Sequence, residues 1–461
     1  MPRTTAPLQL VWFRDDLRTA DHPALTAAMA AGPAIAVYVF DEQSPGLRAL
    51  GGAARWWLHH ALLSLRESLA ELGVPLVLRS GQAAEIISTL AEDCGAQGIH
   101  WTRRYSEAER EVDALAKAKL RGAGREAHSY AGSLLHEPWE LQTQEGNSYK
   151  VFTPFYNKLR DAELRPVLPA PEPQETVNSL PDSEDLESWD LLPTNPDWSG
   201  GLAARWVPGE AEAHSRLEEV AESIAADYPQ QHDRPDLDGT SALSPALRWG
   251  HLSPHQVWEA LGRQSASNPG ASEGVAAVRR QLAWRDFCWH LLYHHPSLPT
   301  QNLRGEFDAF DWAWPEDDPQ AAAHVAAWQH GETGFRLVDA GMRQLWETGW
   351  MHNRVRMVTA SLLVKNLGVH WKVGEQWFWD TLVDADLASN SANWQWVAGS
   401  GADAAPYFRV FNPELQAKKF DPQGSYVARF APVAHEPIVD LKSSRAQALE
   451  SYDHMKARHK G

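Results

Sequence analysis

Five short apolar runs alternate with amphipathic stretches over the first third of the chain. Leu8–Phe13, Ala34–Phe40, Pro75–Ser80, Gly98–Arg103 and Glu126–Tyr130 have the length and composition of buried strands. Helical spacing of apolar positions covers Pro23–Ala31, Ala53–Leu72, Ala83–Asp93 and Ser106–Leu120 between them. Such alternation predicts a parallel five-stranded sheet with helices on both faces, an α/β domain of Rossmann-like layout. Ligands of such sheets bind beyond the carboxyl ends of the strands. The loop after the first strand, Arg14-Asp15-Asp16-Leu17-Arg18-Thr19-Ala20-Asp21, contains no glycine, so the dinucleotide fingerprint is absent. From about Leu164 to Gly209 the chain is rich in Pro, Glu, Asp and Ser and predicts an irregular connector over the surface. After about Ala211 long helical patterns follow without strand alternation. The predicted division is an α/β domain over 8–135, a linker over 136–215, an all-α domain over 216–440 and a charged C-terminal tail over 441–461, helical and fraying at its end.

Composition narrows the function classes. A chain of 461 residues, 43% hydrophobic, has room for two or three domains with large cores. No apolar run is long enough to span a membrane, and the N-terminus lacks the apolar centre of a signal peptide. Two cysteines, Cys94 and Cys288, stand far apart, which excludes a disulfide framework, argues against a zinc site, and fits a reducing cytoplasm. A net charge of -18 argues against bulk nucleic-acid binding but leaves room for a local basic patch. Much of the acid is concentrated between Glu172 and Asp197. The 22 Trp are the compositional outlier, an excess that core filling alone does not require.

Four segments carry candidate chemistry. Asp384-Ala385-Asp386-Leu387-Ala388-Ser389-Asn390-Ser391-Ala392-Asn393-Trp394-Gln395-Trp396 brings two acids into a Trp-rich setting after an apolar run. A buried carboxylate needs a charged or hydrogen-bonding partner, so this is either a polar ligand site or a surface loop leading into core Trp. Thr240-Ser241-Ala242-Leu243-Ser244-Pro245 is either a helix cap or a place where hydroxyls and a helix start receive phosphate oxygens. Gln281, Trp284 and Arg285 share one helical face, which suits a base and a phosphate or a snorkelling Arg over a core Trp. In Trp350–Met357, Asn353 and Met357 share a face, and His352 and Arg356 share the next.

Taken together with Val11–Arg18, Glu306–Phe310, Thr333-Gly334-Phe335, Val338-Asp339-Ala340, Phe378–Asp386 and Phe408-Arg409-Val410-Phe411-Asn412-Pro413, these segments resemble the photolyase/cryptochrome flavoproteins in order and spacing over nearly the whole chain. The Glu306–Phe310 and Phe378–Asp386 phrases look most like the bacterial photolyase branch nearest to plant cryptochromes, often called class III. The resemblance implies that the all-α domain binds FAD in a U shape. Tyr228, Thr240, Ser241, Ala242, Leu243 and Ser244 would surround its phosphates and ribityl chain, and Arg285 would neutralise phosphate charge. Asp384 and Asp386 would lie along the ring and ribityl, Arg356 would pair with Asp384, Asn353 would stand beside the cofactor, and Asn390 would face flavin N5. An amide there suits a fully reduced flavin anion, whereas plant cryptochromes place an Asp that favours a neutral radical.

The resemblance further implies light-driven repair of UV-damaged DNA: excited reduced flavin donates an electron to a pyrimidine dimer flipped from the duplex. Gln281, Trp284, Asn353 and Met357 would line the dimer pocket, and Arg354 and Arg409 would hold flanking phosphates. Members that repair (6-4) photoproducts have a His pair where this chain has Asn353 and Met357, so cyclobutane dimers are the expected substrate. Gln281, Val278 and His232 depart from common family residues. Trp394, Trp371 and Trp312 match a three-Trp photoreduction relay, with Trp314 as the alternative outer member. An antenna chromophore is expected in the α/β domain, methenyltetrahydrofolate rather than deazaflavin, near Gly51–Trp57 or Trp101–Tyr105. A basic band of Arg279, Arg280, Arg354, Arg409, Lys418 and Lys419 would receive DNA. Family members are usually monomers. The rival expectation is a cryptochrome-type blue-light receptor without repair activity.

Overall fold

The computed structural model describes residues 6–177, 179–404, 407 and 409–460. Strands β1 (Gln9–Phe13), β2 (Ala34–Phe40), β3 (Leu76–Ser80), β4 (Gly98–Thr102) and β5 (Glu126–Tyr130) form one sheet in the order β3-β2-β1-β4-β5. Every neighbouring pair is parallel. The period of two divides the strand residues between two cores. Val11, Phe13, Ala34, Ala36 and Tyr38 face helices α1 (Pro23–Ala31) and α2 (Gly52–Glu71). Leu10, Trp12, Ile35, Val37 and Val39 face α3 (Ala83–Asp93) and α4 (Glu107–Gly122). Local signals set the helix starts: His22 accepts the Leu25 N–H ahead of Pro23, and Ser106 with Glu109 closes a capping box on α4.

The connector does more than run over the surface. Gln174 bonds across to Ala34 and Gly73, while Ser183 and Glu184 bond to Leu78 and Ser80, so it lines the outer edge of the sheet at β3. Helices also form inside the predicted linker, at Phe152–Arg160 and Gly200–Arg205. The C-terminal segment is a helix, Leu441–Lys460, that docks on the body. Ala448 and Met455 are buried beside Phe307 and Tyr407, because these apolar positions share one helical face despite the charged composition.

Two large apolar cores fill the helical part among the described residues. One gathers Pro254–Ser267, Ser272–His294 and Phe152–Arg160; the other gathers Arg336–Thr348, Asn353–Ser361 and Trp371–Thr381. The Leu387–Ala398 helix stands between them. Ala388 and Ala392 enter the first core, and Trp394, Val397 and Ala398 enter the second.

The glycine-free loop after β1 fastens the α/β domain to the helical one. Arg18, fully buried, donates to the carbonyls of Asp21, Gly132 and Gly250 at 2.9–3.2 Å. The Leu17 N–H reaches the Trp249 carbonyl at 3.0 Å, and Asp15 pairs with Arg248 at 2.7 Å. Burial works to raise the Asp15 carboxyl, but Arg248 and Arg104 outweigh it and hold the group below the ordinary range.

His251 lies at this junction. Its Nε2 accepts the indole N–H of Trp57 at 3.0 Å and its Nδ1 lies 3.0 Å from the Leu17 carbonyl, which defines a neutral tautomer. Burial pushes its pKa down to about 4, against an opposing pull from the Leu17 carbonyl and Glu210. The unfolded chain therefore binds the proton first, and stability present above the ordinary His pKa of about 6.5 is lost as pH falls toward 4. Thermal melts should show the melting temperature dropping between about pH 6.5 and 4.5, less so in His251→Gln; a flat profile over that window would contradict a buried neutral His251.

Candidate active site

The Asp384–Trp396 segment forms one wall of the site. Asp384 is buried, and Arg356 donates to both its carboxylate oxygens at 2.8 and 3.1 Å. The Ser244 hydroxyl donates to the same carboxylate at 2.6 Å. Three segments far apart in the chain thus converge on one acid. Asp386 caps the Leu387–Ala398 helix by accepting the Ser389 N–H at 2.6 Å. One turn on, Asn390 is buried, and its amide nitrogen donates to the backbone carbonyl of Glu375 at 2.9 Å and to its carboxylate at 2.7 Å. Two acceptors require the NH2 group on that side, so the amide carbonyl faces the other way.

The Thr240–Ser244 loop forms a second wall. Ala242 has φ of +50°, a left-handed conformation that costs a non-glycine residue about 1–3 kcal/mol and concentrates at ligand sites. Arg216 holds the loop by donating to the Thr240 and Ser241 carbonyls at 2.7 and 2.8 Å. Tyr228 is buried and stacks on His232 at 4.9 Å. Arg285 donates to the Ser133 carbonyl at 2.7 Å, beside Asp286, whose carboxyl is pushed up to about 7 by burial despite Arg285.

The predicted substrate residues are all at least partly exposed. Gln281 and Asn353 are exposed and Met357 is half-buried. Trp284 lies flat on Phe152, with centroids 3.6 Å apart. Arg354 is tied to Asp233 by two hydrogen bonds of 2.6 and 3.2 Å, with its guanidinium over Phe420. His352 stands outside the Asn353–Met357 face as the cap of that helix, where burial lowers its pKa to about 4. Of the expected basic band, Arg280, Arg409, Lys418 and Lys419 are exposed. Arg279 instead turns inward to the Trp258 carbonyl. Phe408 lies outside the described residues.

Trp394 packs on Phe378 and Trp328, at 5.0 and 6.1 Å, and a Cβ at Gly374 would come within 2.1 Å of its ring. Gly374 is one helical turn from Trp371 on the Trp371–Thr381 helix. His370 then touches Trp371, Trp312 and Trp314 at 5.4, 5.2 and 4.3 Å.

A cavity of about 140 Å³ opens at the carboxyl ends of β1, β2 and β4, between the domains. Glu42, Arg48, Arg103, Arg104, Glu109 and Trp379 are among its lining residues. Of the two aromatic segments expected near an antenna site, Arg103–Tyr105 lines this cavity. Trp56 and Trp57 do not: they fill the α1/α2 core, because their helix turns that face toward the sheet.

Glu375, Arg48, Arg216 and Asp233 are not singled out by the sequence. Each is a single charged residue in an ordinary helix or loop, and its partner is distant in sequence. The one available signal is the i, i+3 pair of Arg216 with Glu219. Among the described residues no cluster of metal-binding side chains occurs, and no helix is long and apolar enough to cross a membrane.

Residues 9–174 match the family model described as DNA photolyase, and residues 278–436 match the FAD binding domain of DNA photolyase. The deoxyribodipyrimidine photo-lyase of Agrobacterium fabrum is 45% identical over 100% of this chain and 98% of its own length. That of Halobacterium salinarum is 36% identical over 96% of this chain and 92% of its own. The crystal structure of a bacterial class III photolyase from Agrobacterium tumefaciens superposes with a TM-score of 0.93 at 42% identity, covering 99% of each chain.

Removing one partner of the Arg356–Asp384 pair leaves a buried carboxylate short of its counter-charge. Arg356→Met should destabilise the fold by about 2–3 kcal/mol, below the cost for a fully enclosed pair because the guanidinium is partly exposed. Urea unfolding at neutral pH measures it; an unchanged midpoint would mean that water satisfies Asp384.

Proposed function

The chain belongs to the photolyase/cryptochrome family, and from that premise we propose how its residues carry out the chemistry. It is a DNA photolyase, a deoxyribodipyrimidine photo-lyase that repairs cyclobutane pyrimidine dimers in damaged DNA. The observation that carries the residue assignment is the convergence of Arg356 and Ser244 on buried Asp384, in the same wall as an Asn390 whose carbonyl is turned away from Glu375. These groups fit FAD. The strained Thr240–Ser244 loop and Tyr228 suit its phosphates and ribityl chain, Arg285 supplies positive charge, and Asp384, Asp386 and Asn353 supply polar edges around the ring. When bound and reduced, FAD supplies the electron that light sends to the dimer.

The chain's own residues position and shield. Trp284 and Met357 offer apolar faces to a flipped pyrimidine dimer, and Gln281 and Asn353 offer amides to its carbonyl edges. Arg409, Arg280, Lys418 and Lys419 supply free positive charge for flanking phosphates, and Arg354 joins them from its pair with Asp233. The electron path runs Trp394, Trp371, Trp312. It is supported by the close seat of Trp394 on Gly374 and by His370, which packs against both Trp371 and Trp312. The interdomain cavity takes the antenna, with methenyltetrahydrofolate favoured over deazaflavin. A pteridine edge asks for a carboxylate and a glutamyl tail for guanidinium groups, and Glu42, Glu109, Arg103 and Arg104 line the cavity from their pairs with Arg55, Arg104, Glu137 and Glu109 respectively. One copy carries every group named, so a monomer acts alone, in the cytoplasm with the DNA.

Two measurements test this reading. Purified protein with reduced flavin, given dimer-containing DNA and blue light, should restore intact pyrimidines; intact dimers after illumination would favour a photoreceptor instead. In transient absorption, Trp394→Phe should sharply slow flavin photoreduction while leaving FAD bound, and an unchanged rate would remove Trp394 from the path.

A further inference from the structure

Glu375 is almost entirely buried, and its carboxylate accepts from two residues. Asn390 donates to Oε1 at 2.7 Å. Arg48 of the α/β domain donates to both oxygens at 2.7 and 3.1 Å. The loop that carries Arg48 is pinned to the Trp371–Thr381 helix. The Trp379 indole donates to the Ala49 carbonyl at 2.8 Å, the Gly52 N–H reaches Asp380 at 2.9 Å, and a Cβ at Gly51 would strike the Trp379 carbonyl at 2.2 Å. The guanidinium of Arg48 also lies 4.2 Å over the Trp379 ring. Packing and hydrogen bonds therefore set its position, and its outer edge lines the interdomain cavity.

We propose that Arg48 is a positioning residue for the flavin ring, acting from the neighbouring domain through Glu375 to hold the Asn390 amide. The inference rests on the proposed function above, in which Asn390 faces flavin N5. An amide held with both N–H bonds on Glu375 presents only its carbonyl to N5. That carbonyl accepts a hydrogen bond from N5 when the ring is reduced and protonated there, and meets a lone pair when the ring is oxidised. The arrangement therefore favours the reduced ring. A bidentate guanidinium contributes in two ways: it stops the carboxylate from rotating away from Asn390, and it offsets a negative charge that would oppose the reduced, anionic ring.

The test uses the full-length, FAD-loaded protein and reads the flavin rather than repair. Photoreduced samples are left in air in the dark, reoxidation is followed by flavin absorbance, and the midpoint potential is measured by dye equilibration. Arg48→Met should reoxidise about tenfold faster than the parent, the size of coupling within one hydrogen-bond network, with a lower midpoint potential. Arg48→Lys, which keeps the charge and loses the fork, should fall between. In a Glu375→Gln background, Arg48→Met should have no further effect, because the charge and the fork it served are gone. Reoxidation at the parental rate in FAD-loaded Arg48→Met overturns the role of Arg48 and leaves the flavin site intact. An effect of equal size in the Glu375→Gln background overturns the route through Glu375. Parent protein that binds no FAD overturns the flavin site itself, and this inference with it. Should Arg48→Met fold poorly, Arg48→Lys with and without Glu375→Gln separates the same outcomes through smaller changes.

Discussion

The pairing of Arg356 with Asp384 is the constraint on which the site depends. A carboxylate taken out of water needs compensation in place, and here it comes from a guanidinium on one helix and a hydroxyl on a loop more than a hundred residues earlier in the chain. Meeting that need draws the Ser244 loop, the Asn353–Ser361 helix and the start of the Leu387–Ala398 helix to one point. Once they meet, the rest of the wall follows from helix geometry. Asp386 caps the helix, Asn390 lies one turn on, and Trp394 lies one further turn on, inside the second core. A single helix between two apolar cores therefore presents a carboxylate, an amide and an indole along one line.

The Trp excess has a structural explanation alongside the redox one. Trp249 donates to the Val383 carbonyl, Trp206 to Thr348, Trp328 to Thr359 and Trp379 to Ala49. Each joins elements remote in sequence, burying a large apolar face while its N–H satisfies a carbonyl that helices and strands leave over. The charged loop after β1 has a similar function with ions. It occupies the place where a glycine-rich loop would receive phosphate and uses it to grip Gly250 and Arg248, so that the crevice at the strand ends opens between the two domains.

Charge is also divided by place. The acidic stretch from Glu172 to Asp197 runs along the outer edge of the sheet through Gln174 and Glu184, on the α/β domain. Arg280, Arg409, Lys418 and Lys419 are exposed on the helical domain. Screening confines each charge to its own neighbourhood, so a net charge of -18 does not by itself set the sign of the field over the helical domain.

The layered sheet was legible in the sequence, since five short apolar runs alternating with amphipathic helical stretches specify a parallel sheet covered on both faces. The acids and amides of Asp384–Trp396 left a polar ligand site and a surface loop both open, and the resemblance to the family decided between them. Arg356 as the partner of Asp384 followed from family resemblance, and the structure contains that pair. The partners of other single charges emerged from the tertiary fold alone. Glu375 and Arg48 lie 327 residues apart, and Arg354 and Asp233 lie 121 apart. Periodicity reports contacts within a few turns of one element, so it carries no trace of them. The C-terminal helix was legible as a helix but not as a docked one, because charge dominates its composition while only Ala448, Met455 and a few neighbours face the body. Burial is a property of the face a helix turns inward, and that face is chosen by the surface it meets.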